Sequence, residues 1–461
     1  MSAKFVNVDR DTPYFLPPDL REWVPKDHLV HFIIDAVERL DLRTAWVNER
    51  GSGAAQYPPS MMLALLIYSY ATGTFSSRQI ERSTYDSVPV RFLCADTHPD
   101  HDTICTFRVR NGALLKQSFA RIVELAGKCG ILKVGSITVA IDGTKILANA
   151  SKHAAVSYGY AGEKMKQLKE EIDQLVAKAE QADSTPLQDG LSIPLEIQRR
   201  SERLEKLTHA STEIEARAAL GEKQVEYEEK MKKRQAREQA TGKKIGGRRP
   251  KSPSGKPEDK AQYNFTDPDS RIGMTKGGFE QVYNAQAAVE IQSRLIVAPP
   301  LTNDPGDKEQ LTKTLDGVVA EAGPVGGALV DSWYFSEKEI RQAEGSAPGS
   351  QPTGVRVLCA IKREAHGRTI AQLEKRDDPP APKEEAPFSE HMAHRVATQE
   401  GRLLYKQRQQ TVEPVFGIIK EAMGFRRFSL RGLVKVRLEW TLVALAYNVK
   451  RLFHLKARFA C

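Results

Sequence analysis

At 461 residues, 40% of them hydrophobic and 7% aromatic, the chain is long enough for about two or three folding units with a sizeable core. No stretch reaches the ~18 uncharged apolar residues of a membrane span, and the opening residues lack a signal-peptide core, so a cytoplasmic protein without membrane contact is expected. The net charge is +9, and the five cysteines (Cys94, Cys105, Cys129, Cys359, Cys461) are few, odd in number and scattered, which argues against a disulfide-stapled scaffold.

Residues 1 to about 130 read as a compact run of helices. Asp27 is an N-cap candidate for apolar residues at helical spacing up to Leu40. Pro58-Pro59-Ser60 precedes an apolar helix over 61–71, stopped at Gly73. Ser76 with Gln79 suits a capping box, and another helix begins near Asp102-Thr103, carrying Phe107, Arg108 and Arg110. Successive short helices with basic residues fit a helix-turn-helix that reads a DNA end; a plain helical bundle fits the same pattern.

A strand over 136–148 presents Asp142. The composition then changes: residues 160–240 are rich in Glu, Lys, Gln and Arg, with Leu168, Ile172, Leu175, Ile197, Leu204 and Leu207 sparsely spaced. This predicts a helical hairpin or coiled-coil insertion, broken near Pro186. From Lys230 to Lys251 there are ten Lys/Arg and one Glu, which reads as a basic loop. Strands resume over 282–291 and 295–298, followed by a helix over about 308–322, a strand over 327–331, a helix from about 336 and a strand over 355–362. Residues 364–398 read as irregular, and the helix carrying Glu413 and a long apolar helix over 433–455 close the chain. The succession predicts an α/β fold with a mixed sheet.

Three carboxylates stand in informative settings. Asp142 ends the run Ile137-Thr-Val-Ala-Ile, Asp331 ends Gly327-Ala-Leu-Val, and Glu413 sits on a basic helical segment. From Arg402 to Arg458, 13 Lys/Arg face 3 Glu, a local balance of +10, which favours a phosphate-bearing partner. Acids at strand ends can hold divalent ions that activate water and stabilise a leaving oxygen in phosphodiester cleavage. Metal-dependent phosphodiester chemistry on DNA is therefore the expectation. Cys94, His98, His101 and Cys105 have zinc-compatible spacing, but Pro99 and the intervening aspartates favour a turn leading into a helix. Gly277-Gly278 lacks the Lys-Ser/Thr of a phosphate-binding loop. Trp440 and Tyr447 read as core residues.

These residues resemble a family. Tyr57-Pro-Pro-Ser-Met-Met-Leu-Ala-Leu-Leu-Ile-Tyr, Asp100-His-Asp-Thr-Ile-Cys-Thr-Phe-Arg108, Ile141-Asp-Gly-Thr-Lys, Thr266-Asp-Pro-Asp-Ser-Arg271, Tyr283-Asn-Ala-Gln-Ala, Val330-Asp-Ser-Trp-Tyr-Phe-Ser336 and Thr411-Val-Glu-Pro-Val-Phe-Gly-Ile-Ile-Lys420 are similar to bacterial insertion-sequence transposases of the DDE class, in the group sometimes called eleven-eighty-two. The resemblance covers nearly the whole chain. It implies an α/β ribonuclease-H-like core with a mixed sheet, begun by residues 131–150 and completed by 266–461 with C-terminal basic helices. A helical N-terminal domain (1–130) would bind DNA ends, and residues 151–265 would form a helical, coiled-coil-like, basic insertion.

By the same resemblance Asp142, Asp331 and Glu413 are the catalytic acids and metal ligands, with Mg²⁺ the usual metal and Mn²⁺ a substitute. Tyr405, Arg408, Glu413 and Lys420 follow the family's signature, except that four residues rather than three separate Arg408 from Glu413. Tyr405, Arg408 and Lys420, with Arg426 and Arg427, are the implied DNA-binding residues. Many relatives have Gly where this chain has Trp333. The implied activity is hydrolysis at transposon ends, freeing a 3′-OH that attacks target DNA. The implied partners are terminal inverted repeats, target DNA and a second copy of the chain. A nuclease that cuts without joining, and a DNA-binding relative without catalysis, are the alternatives.

Overall fold

The structure, a computed structural model, describes residues 19–47, 56–133, 135–182, 193–218, 257–346, 353–361 and 377–457, with a few positions between 227 and 238. The chain divides into two compact units, Met1–Ile146 with Tyr283–Cys461, and Leu147–Val282. Secondary structure is mixed α/β, with a mixed sheet and many helices. No described helix is long and apolar enough to cross a membrane.

The first unit opens with α1 (Leu20–Trp23), α2 (Leu29–Glu38) and α3 (Pro59–Ala71). Residues 62–71 of α3 are all buried, as expected of a helix apolar on every face. Pro59 fits its first turn, where an N–H would be unpaired anyway, and Gly73 adopts the left-handed φ of 89° just beyond its end. The helices α4 (Ser77–Asp86), α5 (Val88–Leu93), α6 (His101–Arg110) and α7 (Gly112–Lys128) follow.

Local details correct the sequence reading. His28, not Asp27, caps α2, its Nδ1 accepting the Val30 N–H at 3.2 Å. Ser76 stands at the N-cap of α4 without a side-chain cap bond, so the capping box with Gln79 does not form. Asp100 caps α6 through the Thr103 N–H at 2.7 Å. Arg108 points into the core: it donates to the Tyr70 hydroxyl (2.8 Å) and the Phe75 carbonyl (2.9 Å), and Tyr70 donates to Glu439 (2.9 Å).

The sheet of this unit is centred on β1 (Ile137–Leu147), which is parallel to β8 (Val325–Val330), itself parallel to β9 (Arg356–Cys359). On the other side of β1 lies β5 (Gly278–Glu290), which pairs antiparallel with β6 (Ile296–Ala298) and β7 (Leu301–Thr302). Both faces of β1 are largely buried over residues 137–141, which suits a near-continuous apolar run in a central strand. The strand continues through Asp142 to Leu147, so Asp142 is mid-strand rather than terminal.

The remaining helices are α10 (Leu311–Asp316), α11 (Glu337–Ala343), α12 (Phe388–Ala397), α13 (Gln399–Gly417) and α14 (Leu433–His454). α10 is shorter than expected and is followed by a 3₁₀ turn, Ala320–Ala322. α12 lies within the stretch read as irregular, and it buries Met392 fully. The long α14 packs against α2, α3 and α7. Its polar groups also hold the sheet edge: the Asn448 amide accepts from the Ile296 N–H (2.9 Å) and donates to the Ile296 carbonyl (2.8 Å). Trp440 Nε1 donates to the Gln286 carbonyl at 3.0 Å, and both Trp440 and Tyr447 are core residues.

In the second unit, α8 (Tyr158–Ala182) and α9 (Ile193–Ala218) pack along each other, beside the antiparallel pair β2 (Ala155–Ser157) and β3 (Gln262–Asn264). Val156, Ala161, Leu168, Leu207, Ala210, Ile214 and Tyr263 form its core. Arg200 bridges the helices to Glu171 at 2.9 Å. β4 (Arg271–Thr275) and residues 278–282 form a hairpin, with Lys276-Gly277 as its turn and Gly278 opening the second strand. Apart from scattered positions, the basic loop over 230–251 lies outside the described residues.

Candidate active site

Parallel pairing matches Ala140 on β1 with Leu329 on β8. Two residues further along each strand, the same register sets Asp142 level with Asp331, and neighbouring strands lie about 4.8 Å apart. Asp142 Oδ1 accepts the Gly143 N–H at 2.8 Å. Asp331 caps the 3₁₀ turn Ser332–Tyr334, its Oδ1 accepting the Trp333 N–H at 2.8 Å. The second oxygen of each acid faces the same guanidinium: Arg408 Nη1 is 3.4 Å from Asp142 Oδ2, and Nη2 is 3.7 Å from Asp331 Oδ2. Both separations exceed the ~2.8 Å of a tight charge-assisted hydrogen bond, so the guanidinium offsets the charge without clamping either acid.

Arg408 is 7% exposed and lies beside the two acids. Tyr405, one turn earlier on α13, donates its hydroxyl to the Val330 carbonyl at 3.1 Å and so fastens the helix to the end of β8. Glu413 lies five residues beyond Arg408, about 140° round an ideal helix, and its side chain is exposed. Among the described residues no group of three acidic, histidine or cysteine side chains is placed to hold a metal ion; Asp142 and Asp331 come together, and Glu413 is not joined to them. Pro414 sits inside α13, and the chain continues as a π-helical turn, Ile418–Ala422. From that turn Lys420 reaches back to β1, its Nζ donating to Thr144 Oγ1 and, at 3.1 Å, to the Lys145 carbonyl. Arg426 and Arg427 are exposed, and Arg426 pairs with Glu421.

The sequence reading missed Asp307. Its Oδ1 accepts from Asn284 Nδ2 and Gln286 Nε2, both at 2.7 Å. A Cβ on Gly143 would meet that same oxygen at 2.7 Å, which is why glycine follows Asp142. The sequence carried a signal for this: Asn284 and Gln286 are polar residues two apart in the otherwise apolar stretch 282–289 of β5, where buried amides need a partner.

Burial pushes the Asp142 carboxyl up to about 6; Arg408 opposes this, while Asp331 and Asp307 add to it. Burial likewise lowers the Lys145 amine, against the pull of Asp307 and Asp142, and lifts the Cys359 thiol, beside the Asp331 carbonyl, to about 12. The site thus holds partly buried carboxylates with only loosely paired charge. Mg²⁺ is commonly taken through one or two carboxylates with water and phosphate completing its shell, and the hard oxygen donors of Asp142 and Asp331 fit that chemistry.

The zinc-like spacing at 94–105 has other uses. Cys94 is buried, His98 stacks on Tyr85 with ring centroids 3.9 Å apart, and His101 Nδ1 pairs with Glu81 at 2.8 Å. His394 is bonded to the Pro379 carbonyl at 2.9 Å.

Comparison with known families bears on both ends of the chain. Residues 381–453, which include α13 and most of α14, match a family model described as a transposase DDE domain. Residues 18–110 match one described as a transposase domain (DUF772). No curated protein and no solved structure gives a match. The two family matches support a bacterial insertion-sequence DDE transposase.

Proposed function

We propose that the protein cuts the ends of a transposable element and joins the freed 3′-OH to target DNA, by metal-dependent hydrolysis and transesterification. The observation that carries this reading is the pairing of Asp142 and Asp331 on adjacent parallel strands, facing one guanidinium supplied by a helix within the transposase DDE match. The same arrangement on a mixed sheet supports a ribonuclease-H-like core split by the insertion. The N-terminal helices, within the other matched segment, are assigned to DNA-end binding.

In the first reaction a water oxygen bonds to phosphorus, the P–O3′ bond breaks, and the departing oxygen takes a proton to become the 3′-OH. In the second, that 3′-OH attacks a target phosphodiester and releases a new 3′-OH there. Asp142 and Asp331, with Glu413 as the third acid, are assigned as ligands for Mg²⁺ or Mn²⁺. When bound, the ion supplies charge neutralisation and polarisation at the phosphate. Arg408 holds the two strand acids in register until then. Lys420, whose ammonium lies on Thr144 and Lys145 of β1, is assigned to a phosphate oxygen, Tyr405 positions α13, and Arg426 and Arg427 are assigned to backbone contacts. The protein is assigned to the cytoplasm, on the nucleoid when bound to DNA, as a dimer that brings two ends together.

Transfer of a labelled 3′ end into plasmid DNA tests the reading. Joined product, lost in Glu413→Ala while DNA binding persists, supports it. Cutting without joining would assign a nuclease, and DNA binding without either reaction a non-catalytic relative.

A further inference from the structure

Three consecutive aromatic residues follow Asp331 closely, and the fold disposes of them differently. Tyr334 is fully buried, its hydroxyl donating to Gln286. Phe335 is half-buried and stacks on Phe388, with ring centroids 6.4 Å apart. Trp333 is 64% exposed, although an indole has more apolar surface to gain from burial than almost any other side chain. Its anchorage is firm: it lies in the 3₁₀ turn between Asp331 and buried Tyr334, with its N–H on Asp331 Oδ1 at 2.8 Å. A large flat apolar surface is thus held two residues from an acid whose other oxygen faces the Arg408 guanidinium that Asp142 shares.

We propose that Trp333 is a base-stacking residue, receiving an unstacked nucleobase of the DNA strand whose phosphodiester lies at Asp142 and Asp331. The inference rests on the transposase reading above. In a nucleic acid every phosphate is flanked by bases, so an indole beside a phosphodiester site meets a base face. Stacking of this kind tolerates any base, which suits a cut made at a junction whose outer sequence varies with each insertion site. The platform also offsets the cost of taking a base out of the duplex.

The test compares full-length wild type, Trp333→Ala and Trp333→Phe for binding to a duplex carrying one terminal repeat of the element and its flank. A set of duplexes each lacks one base near the cut. Trp333→Ala is expected to weaken binding of the intact duplex by roughly 5- to 150-fold, and Trp333→Phe to retain most of it. On one duplex of the set the difference between wild type and Trp333→Ala disappears, because the stacked base is already missing. No loss in Trp333→Ala, or the same loss on every duplex of the set, overturns the assignment. Because Trp333 is exposed, equal melting temperatures are expected for the three proteins. Failure of the wild type itself to prefer the terminal-repeat duplex over random DNA would overturn the transposase reading, and the stacking assignment with it.

Discussion

Arg408 Nη1 stands 3.4 Å from Asp142 Oδ2, and the other arm of the same guanidinium faces Asp331. One buried cation thus serves two acids on neighbouring strands. Its removal leaves two adjacent carboxylates without the cation that faces both. Arg408→Ala is expected to lose about 1–3 kcal/mol of stability in chelator and to recover much of it in millimolar Mg²⁺ by mass action. Denaturant midpoints with and without the ion check this; a loss that Mg²⁺ leaves untouched would count against cation binding at the pair.

The Asp142 carboxyl, pushed up to about 6 by burial with Asp331 and Asp307 adding, gives stability a defined pH dependence. Its folded value lies above its unfolded one, so its stabilising contribution is fully present below about pH 4 and is lost as pH rises through about 6. Asp142→Asn, neutral throughout, should therefore match the wild type at the acid end. Above pH 6 in chelator it should exceed the wild type by on the order of 3 kcal/mol. Urea unfolding between pH 4 and 8 is the measurement, and parallel curves for the two proteins would contradict it.

Lys420 lies against Thr144 and Lys145, just beyond Asp142 on β1. If its ammonium meets a phosphate, Lys420→Ala weakens DNA binding and lowers the slope of log affinity against log salt by about 1. An unchanged slope would remove it from the DNA contacts.

Part of this site was legible because hydrophobic runs that meet an acid are conspicuous: Ile137 to Asp142 and Gly327 to Asp331 pointed to strands, whose parallel pairing only the structure supplies. The extent of β1, expected over 136–148, matches Ile137–Leu147, but the need for glycine at 143 was not legible, because Asp307 and Gln286, which crowd that position, come from distant parts of the chain. Arg408 was read by its spacing to Glu413. Five residues set the two about 140° apart on an ideal helix, and it is Arg408 that faces the sheet. Arg108, named among the basic residues of a candidate DNA-reading helix, is buried instead, because sequence shows its charge but not the buried Tyr70 that accepts from it and donates on to Glu439.

Asn448 ties α14 to the β6 edge through both halves of its amide. Asn448→Ala orphans the Ile296 N–H and carbonyl in a buried place, at about 1–3 kcal/mol for each unpaired group. Hydrogen exchange at Ile296 should rise along with the loss of global stability; unchanged protection there would mean that the edge is held by other contacts.

The central claim is that Asp142 serves phosphodiester chemistry on DNA. The most direct measurement is Mg²⁺-dependent cleavage of DNA carrying the element's own terminal repeats, wild type beside Asp142→Ala. Cleavage at the repeat boundary that disappears in the variant is the expected result. Cleavage that survives in Asp142→Ala would contradict the account.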